Sequence, residues 1–210
     1  MSDWSTQSPL EFVYWKLAAR GQTPMLMLHA AGIEYNWVEP SENWKDEKKN
    51  YPFGQLPCLK HNGKTIAQSG TITRYCAQLS TLMPDDIRKQ LDADMLIEYF
   101  NDIFNLFAKA KYSGDDLAQR VAWERVKKEQ LPDKLSYLVK FLGDKPFFSG
   151  DEAHAGDVAI FSVLNLAKVA GIHWDEDYPT LKQHYDRVAK LGTIQSYLDN
   201  QPGPYFSVPQ

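Results

Sequence analysis

Cysteine is scarce in this sequence, which has only Cys58 and Cys76 among its 210 residues and no Cys-x-x-Cys pair. Thiols spaced in this way form neither a disulfide framework nor a zinc or dithiol redox motif. Both cysteines are therefore expected to be packing residues in a reducing compartment. This favours a cytoplasmic protein without a metal site.

Long apolar runs and an excess of basic residues are also missing. The longest strongly apolar stretch, Val158 to Ala167, contains Ser162 and Asn165 and falls well short of the roughly 20 residues of a membrane span. Residues 1–9 show no basic region followed by an apolar run, so no secretory signal is expected. The net charge is −4, whereas nucleic-acid binders carry a basic surface. We therefore expect neither a membrane nor a nucleic acid as a partner.

Strand and helix signals alternate in the first part of the chain. The β-branched and aromatic run from Glu11 to Trp15 predicts a strand. Thr23 as an N-cap, with Pro24 at the first helical position and Gly32 as a stop, predicts a helix over residues 24–31.

The other strands of this part are predicted at residues 35–39 and in a hairpin. Cys58 to His61 and Lys64 to Ala67 flank Asn62-Gly63, the strongest short hairpin signal. A helix is expected from Ser69 to Gln78. The order β-α-β followed by β-β-α describes a thioredoxin-like domain over residues 1–82.

Beyond a linker at residues 80–85, the pattern changes to helices alone. Asp94, Glu98 and Asp102 lie opposite a broad apolar face of one long helix, which is formed by Leu91, Met95, Tyr99, Ile103 and Phe107, with Leu96, Phe100 and Phe104 beside them. Residues 158–170 are apolar nearly all round, which indicates an enclosed helix. The predicted fold is therefore α+β with two domains, the second an all-α helical bundle over residues 83–210.

The most specific motif is Pro52-Phe-Gly-Gln-Leu-Pro57, followed by Ile66-Ala-Gln-Ser-Gly-Thr-Ile-Thr-Arg-Tyr75. It resembles the glutathione-binding segment of cytosolic glutathione transferases, and the likeness covers both domains. The pattern is most similar to the sigma class, which includes the haematopoietic prostaglandin D synthases, with features of the mu and pi classes. The resemblance implies a homodimeric enzyme with glutathione as its co-substrate.

Four positions of this motif match family contacts to glutathione. The resemblance implies that Leu56 presents its backbone to the cysteinyl part ahead of a cis Pro57, although a strand-initiating proline is the other interpretation. It also implies that Gln68 and Ser69 bind the γ-glutamyl carboxylate. The free N–H groups of a helix start favour an anion there, and Ser69 is also compatible with a simple N-cap.

Further contacts to glutathione are implied both inside and outside this motif. Trp44 and Lys48 match the positions that hold the glycine end, and Gln55 matches a backbone-side contact. Asp102 matches an acid that reaches the glutamyl ammonium across the dimer interface. Phe53 matches an aromatic residue that inserts into the partner subunit, or else packs under its own loop.

The residue that activates the sulfur is expected to be Tyr14, at the end of the first strand, with Arg20 as the family arginine near the thiolate. Most mu, pi and sigma members read Tyr-[Phe/Trp]-x-x-Arg-Gly, whereas Arg20-Gly21 stands two residues further on in this chain. A two-residue insertion would remove the role of Arg20 and leave that of Tyr14 unchanged. Taken alone, Tyr14 is also compatible with an ordinary strand aromatic.

A tyrosine suits this task energetically. A thiol with a pKa of about 8.5 is only a few per cent ionised at pH 7, and lowering that pKa by two units takes roughly 2.7 kcal/mol. One hydrogen bond to a charged group supplies about 1.5–3 kcal/mol. A neutral phenol can therefore do most of the work as a donor to the thiolate, and Arg20 adds a favourable charge.

The second substrate is expected to be a small hydrophobic electrophile between the first strand and the long helix. Its predicted lining is Trp15, Leu17, Phe104 and Phe107, with Lys109 at the rim, and core packing is the other interpretation of the two phenylalanines. Prostaglandin D synthases carry a tryptophan where Lys109 stands. The resemblance therefore favours conjugation of general electrophiles over prostaglandin synthesis.

Two other functions fit parts of the sequence. The same fold also carries non-catalytic ligand-binding or structural proteins, although such a protein gains little from keeping the glutathione contacts. A thiol-disulfide reductase would need a cysteine near Tyr14, and none precedes Cys58.

The N-terminal cap of the enclosed helix is expected to be weak, because His154 stands where the family usually has Ser or Thr. Asp157 still favours the start of this helix electrostatically.

Overall fold

A computed structural model describes residues 9–209. The strands are β1 (Leu10–Val13), β2 (Tyr35–Val38), β3 (Cys58–His61) and β4 (Lys64–Ala67). The helices are α1 (Gln22–Ala30), α2 (Trp44–Glu47), α3 (Ser69–Leu79), α4 (Ile87–Lys111), α5 (Asp116–Arg125), α6 (Leu131–Leu142), α7 (Ala155–Val169), α8 (Pro179–Val188) and α9 (Ile194–Asp199). A 3₁₀ turn, Lys48–Asn50, follows α2, and a π-helical stretch, Val126–Gln130, joins α5 to α6.

The four strands form one mixed sheet in the order β2-β1-β3-β4. β1 is parallel to β2 and antiparallel to β3, and β3 is antiparallel to β4. The predicted hairpin is confirmed at its predicted bounds, with Asn62 and Gly63 both at positive φ (48° and 74°). Two positive values are what a two-residue type I′ turn requires.

The predicted start of α1 is wrong by two residues, whereas that of α3 is confirmed at Ser69. α1 begins at Gln22 behind Gly21, and Thr23 is not its cap because the Thr23 hydroxyl hydrogen-bonds to Ser162 of α7 (2.8 Å). α3 has Gln68 at its N-cap position, so Ser69 is the first helical residue and not the cap.

The apolar face of α4 differs from the predicted one in its first half. Leu91 and Met95 are 57% and 54% exposed. The helix instead buries Ala93, next to the predicted Leu96, against α7, where a side chain at Gly156 would meet Leu96 Cδ1 at 2.6 Å. Small residues bring the two backbones close together, and this close approach selects the buried face.

α7 is enclosed by its neighbours, as predicted, with every residue from Ala155 to Ala167 buried. The Asp157 carboxylate accepts hydrogen bonds from the backbone N–H groups of His154 (2.9 Å) and Phe148 (2.8 Å) and lies 2.8 Å from His184 Nε2. The helix start is thus anchored mainly through its acidic residue. Within residues 9–209, no helix is both long and apolar enough to cross a membrane.

Candidate functional site

The predicted glutathione contacts meet at one end of the sheet because of its register. Val13 pairs with Cys58, and Cys58 pairs with Ala67. The residue after β1, the residue before β3 and the residue after β4 therefore lie side by side. These are Tyr14, Pro57 and Gln68, and the N-terminus of α3 begins at the next residue.

Tyr14 is held by the turn that begins α1. Its ring lies directly on Gly21, where a Cβ atom would approach Tyr14 Cδ1 to 2.5 Å. Backbone N–H groups of Gly21 and Arg20 hydrogen-bond to the phenol oxygen. Burial nevertheless raises the pKa of Tyr14 to about 12, against the lowering effect of those N–H groups and of Arg20. The hydroxyl is therefore protonated at neutral pH and available as a donor.

Arg20 extends from this turn onto α4. Its guanidinium donates to Asn101 Oδ1 (3.1 Å) and Asn105 Oδ1 (2.8 Å), and it lies 4.3 Å from the ring centroid of Phe104. The displaced Arg20-Gly21 pair is thus still beside Tyr14. The intervening loop is bound by the C-terminal segment, since Ala18 N–H donates to the Gly203 carbonyl (3.0 Å).

The Leu56-Pro57 peptide bond is cis, as the resemblance implied. Next to it, Gln68 has φ 71° and ψ 116°, a conformation that costs a non-glycine residue of order 1–3 kcal/mol. This backbone turn directs the chain from β4 into α3. The first backbone N–H groups of α3 then lack partners within the helix and can bind an anion.

The predicted glycine-end residues lie on the loop between β2 and β3. Trp44 packs edge-on against Trp15, with ring centroids 5.3 Å apart, and is tilted against Tyr51 at 5.5 Å. Lys48 and Gln55 are exposed. The structure thus brings Trp44 close to the end of β1 and leaves both polar side chains open to a ligand.

The acidic row on α4 is paired with cations of the same chain. Arg74 of α3 binds Asp94 (2.8 Å) and Glu98 (2.7 Å), and Lys134 of α6 binds Asp102 (3.2 Å). All three acids are therefore paired with cations within one chain. Asp102 remains exposed, so its ion pair with Lys134 leaves it accessible.

The predicted lining of the second-substrate pocket is only partly supported. Trp15 is exposed and Leu17 is half-buried. Phe107 is fully buried between Trp123 and Phe206, so its predicted place in an open pocket is wrong. It belongs to the core because the C-terminal segment carries Phe206 across α4.

Phe104 and Lys109 also differ from the prediction. Phe104 is covered by the Arg20 guanidinium and packs against Phe206, so it supports the site from beneath. Lys109 lies with Leu106 and Ser113 in a cavity between α4 and α5. This cavity contains none of the other residues predicted to line the second-substrate pocket.

Two tyrosines missed by sequence reasoning complete the region. Tyr112 follows α4, and its hydroxyl hydrogen-bonds to that of Tyr205 in the C-terminal segment. Tyr112 is close enough to Tyr14 to contribute to the raised pKa of Tyr14. The spacing of Tyr112 from Asn101 and Asn105 along one helical face was the available signal, but the path of the C-terminal segment was not predictable.

Comparisons with known proteins show the family of this chain. Residues 10–78 match the sequence model of the glutathione S-transferase N-terminal domain, and residues 101–201 match that of the C-terminal domain. Glutathione S-transferase 2 of Manduca sexta is 30% identical to this chain over 92% of its length and 98% of the relative's. The chain belongs to the glutathione transferase family.

Other relatives of this transferase support the same family and fold. The hematopoietic prostaglandin D synthase of Gallus gallus is 29% identical, over 91% of the transferase and 96% of the relative. The solved structure of rat hPGDS complexed with a quinoline has a TM-score of 0.84 at 21% identity, over 93% of this chain and 98% of that one. A pi-class glutathione S-transferase of Onchocerca volvulus has a TM-score of 0.83 at 22% identity, covering 92% and 93%. The predicted α+β fold is thereby confirmed, and the transferase is an enzyme whose family uses glutathione as co-substrate.

Proposed function

We propose that this transferase resembles the sigma class most closely, stabilises the thiolate of glutathione with the Tyr14 hydroxyl, and conjugates it to small hydrophobic electrophiles. The observation that carries the proposal is the convergence at one sheet end of Tyr14, Leu56-Pro57 and the start of α3 at Gln68-Ser69. Trp44 and Lys48 would hold the glycine end, Gln55 would make a backbone-side contact, and Asp102 would bind the glutamyl ammonium of the neighbouring subunit.

The chemistry follows from the hydrogen bonds of the phenol. Its oxygen already accepts from backbone N–H groups of Gly21 and Arg20, so its own proton is free to be donated to the sulfur. The thiol proton leaves to solvent, and the thiolate attacks the electrophilic carbon. For an aryl halide, a carbon–sulfur bond forms while the halide departs with its bonding pair. No general base is needed, because the site favours the anion before the second substrate arrives.

This proposal is tested by retention on immobilised glutathione, followed by an assay with a generic aryl halide. We expect retention and turnover together. Retention without turnover would instead identify a ligand-binding relative on the same fold. A protein that neither binds glutathione nor turns over the halide contradicts the proposed site.

Ser69 provides a test of the carboxylate site that is separate from folding. Because Gln68 holds the N-cap position, Ser69→Ala should change the free energy of unfolding by less than about 0.5 kcal/mol. A lost hydrogen bond to a carboxylate should raise the Kd for glutathione by roughly tenfold or more. Calorimetric titration measures the Kd, with Ser136→Ala on α6 as a matched control. Normal affinity in Ser69→Ala would place the carboxylate elsewhere.

A homodimer is part of the proposal, and one surface of the chain is suited to it. Phe53 is 65% exposed on its loop. A groove of about 410 Å³ between α4 and α6 is almost wholly apolar and is lined by Met95, Leu96, Tyr99, Tyr137, Leu138, Lys140 and Phe141. Phe53 of each copy would enter this groove of the other copy, near the exposed Asp102.

Phe53→Asp should therefore shift the protein from dimer to monomer at micromolar concentration, since it would bury an unpaired carboxylate in an apolar groove. Sedimentation velocity reports the change. Leu117→Asp is the control, because Leu117 is equally exposed (69%) but lies on α5, away from the groove. A Phe53→Asp protein that remains dimeric would remove Phe53 from the interface.

We also propose a cytoplasmic location and a domain boundary after residue 82. α3 ends at Leu79 and α4 begins at Ile87, which supports a linker between them.

A further inference from the structure

Arg20 is held on α4 by uncharged acceptors. Its two terminal nitrogens donate to the side-chain oxygens of Asn101 and Asn105, and Phe104 lies beneath the guanidinium plane. Among residues 9–209 no carboxylate forms an ion pair with Arg20. We propose that Asn101 and Asn105 are positioning residues that fix Arg20 beside Tyr14 while leaving its positive charge uncompensated. This inference rests on the proposed function.

The orientation of the amides follows from hydrogen-bond chemistry. A guanidinium can only donate, so each amide must present its oxygen to Arg20. The nitrogen of Asn101 then faces the other way and donates to the Ile97 carbonyl (3.5 Å) and to Glu98 Oε2 (3.4 Å). Asn101 is therefore fixed from both sides.

Acids and amides share one side of α4 but bind different partners. Asp94 and Glu98 bind Arg74, and Asp102 binds Lys134. Asn101 and Asn105 are four residues apart on the face that meets the β1–α1 turn. The helix thus carries three carboxylates near the site, each bound to another cation, and presents neutral oxygens to Arg20.

The distinction between amide and carboxylate matters for catalysis. A carboxylate at these distances would form a strong charge-assisted pair with the guanidinium, and the pair would act on its surroundings as a weak dipole. With amide partners the full charge acts on the phenol oxygen and on a sulfur bound beside it. Burial lowers the pKa of Arg20 and raises that of Tyr14, and the proximity of the two groups opposes both shifts. Two further titratable groups lie at this cluster, Glu98 at Asn101 and Tyr112 at Tyr14.

Asn105→Asp tests the proposal, because it preserves shape and hydrogen-bonding distance while adding one negative charge. We expect the pKa of enzyme-bound glutathione to rise by about half to one unit, and the thiolate fraction near that pKa to fall accordingly. The Kd for glutathione should change less than twofold. Gln90→Glu is the control, since it adds the same charge to α4 about 22 Å away and should leave the titration unchanged.

Asn105→Asp in an Arg20→Gln background distinguishes neutralisation of Arg20 from a direct effect of the new carboxylate on the sulfur. If the new carboxylate acts by neutralising Arg20, then Asn105→Asp has no further effect once Arg20 is gone. A shift that persists in the double variant would mean that the carboxylate acts on the sulfur directly, and would overturn the positioning role. The positioning role would also be overturned if glutathione bound to the Asn105→Asp protein titrates as it does in the wild type. A wild-type protein whose bound glutathione titrates like the free thiol would instead overturn the proposed function itself.

Discussion

Asp157→Ala is expected to lower the free energy of unfolding by about 3–5 kcal/mol. The Asp157 carboxylate is fully buried at the start of α7 and is hydrogen-bonded to two backbone N–H groups and to His184. Its removal leaves buried donors unsatisfied, at roughly 1–3 kcal/mol each. It also removes a negative charge that favours the helix start. Because α7 packs against both α1 and α4, the loss should affect both parts of the chain.

Urea unfolding at a fixed protein concentration measures this effect, since a dimer's apparent stability depends on concentration. Asp151→Ala is the matched control, because Asp151 is an exposed acid six residues earlier. Asp157→Asn should fall between Asp157→Ala and the wild type, since one acceptor oxygen is kept. A loss below 1 kcal/mol in Asp157→Ala would show that other groups satisfy these donors.

Tyr14→Phe is expected to lower kcat/KM near neutral pH by roughly ten- to a hundredfold. The substitution keeps the ring against Gly21 and removes only the hydroxyl. If the hydroxyl supplies most of the 2.7 kcal/mol estimated above, the pKa of the bound thiol rises by about one to two units. The fraction of reactive thiolate then falls in proportion, and the loss should shrink as the pH rises above that pKa.

The pH dependence of kcat/KM with an aryl halide reports this change. Trp15→Phe is a useful comparison, since it alters an aromatic residue that packs on Tyr14 with ring centroids 5.8 Å apart while leaving the donor in place. A Tyr14→Phe enzyme that conjugates at the wild-type rate at every pH would make Tyr14 a packing residue. Activation would then have to come from another donor, and Arg20 would be tested first.

Local signals predicted those parts of the fold that depend on a few adjacent residues. Asn62-Gly63 predicted the hairpin because both positions adopt positive φ, which Asn and Gly tolerate best. The uninterrupted apolar character of residues 158–170 predicted the enclosed helix. In both cases the local preference and the tertiary environment favour the same structure.

The errors arose where distant packing selects among locally equivalent faces. Leu91 and Met95 fit the same helical stripe as Phe107, but the close approach of α7 at Gly156 buries Ala93 in their place. Thr23 has the chemistry of an N-cap, yet its hydroxyl serves a contact with α7. Neither outcome can be predicted from spacing alone.

The candidate site likewise has one side that was predictable from the sequence and one side that was not. Its glutathione positions were predicted because they lie in one contiguous motif, and strand register then places that motif beside Tyr14. The second-substrate side was not predictable, because Phe206 and Tyr205 arrive there from the C-terminal end of the chain. That segment covers Phe107 and brings Tyr112 to the mouth of the site.

Activation by Tyr14 is tested most directly by the thiolate absorbance of the enzyme–glutathione complex, measured against pH in the wild type and in Tyr14→Phe. We expect glutathione bound to the wild type to ionise about two pKa units below the free thiol. In Tyr14→Phe the midpoint should move up by about one to two units, with little change in glutathione affinity. Identical titration curves for the two proteins would contradict the claim that the Tyr14 hydroxyl stabilises the thiolate.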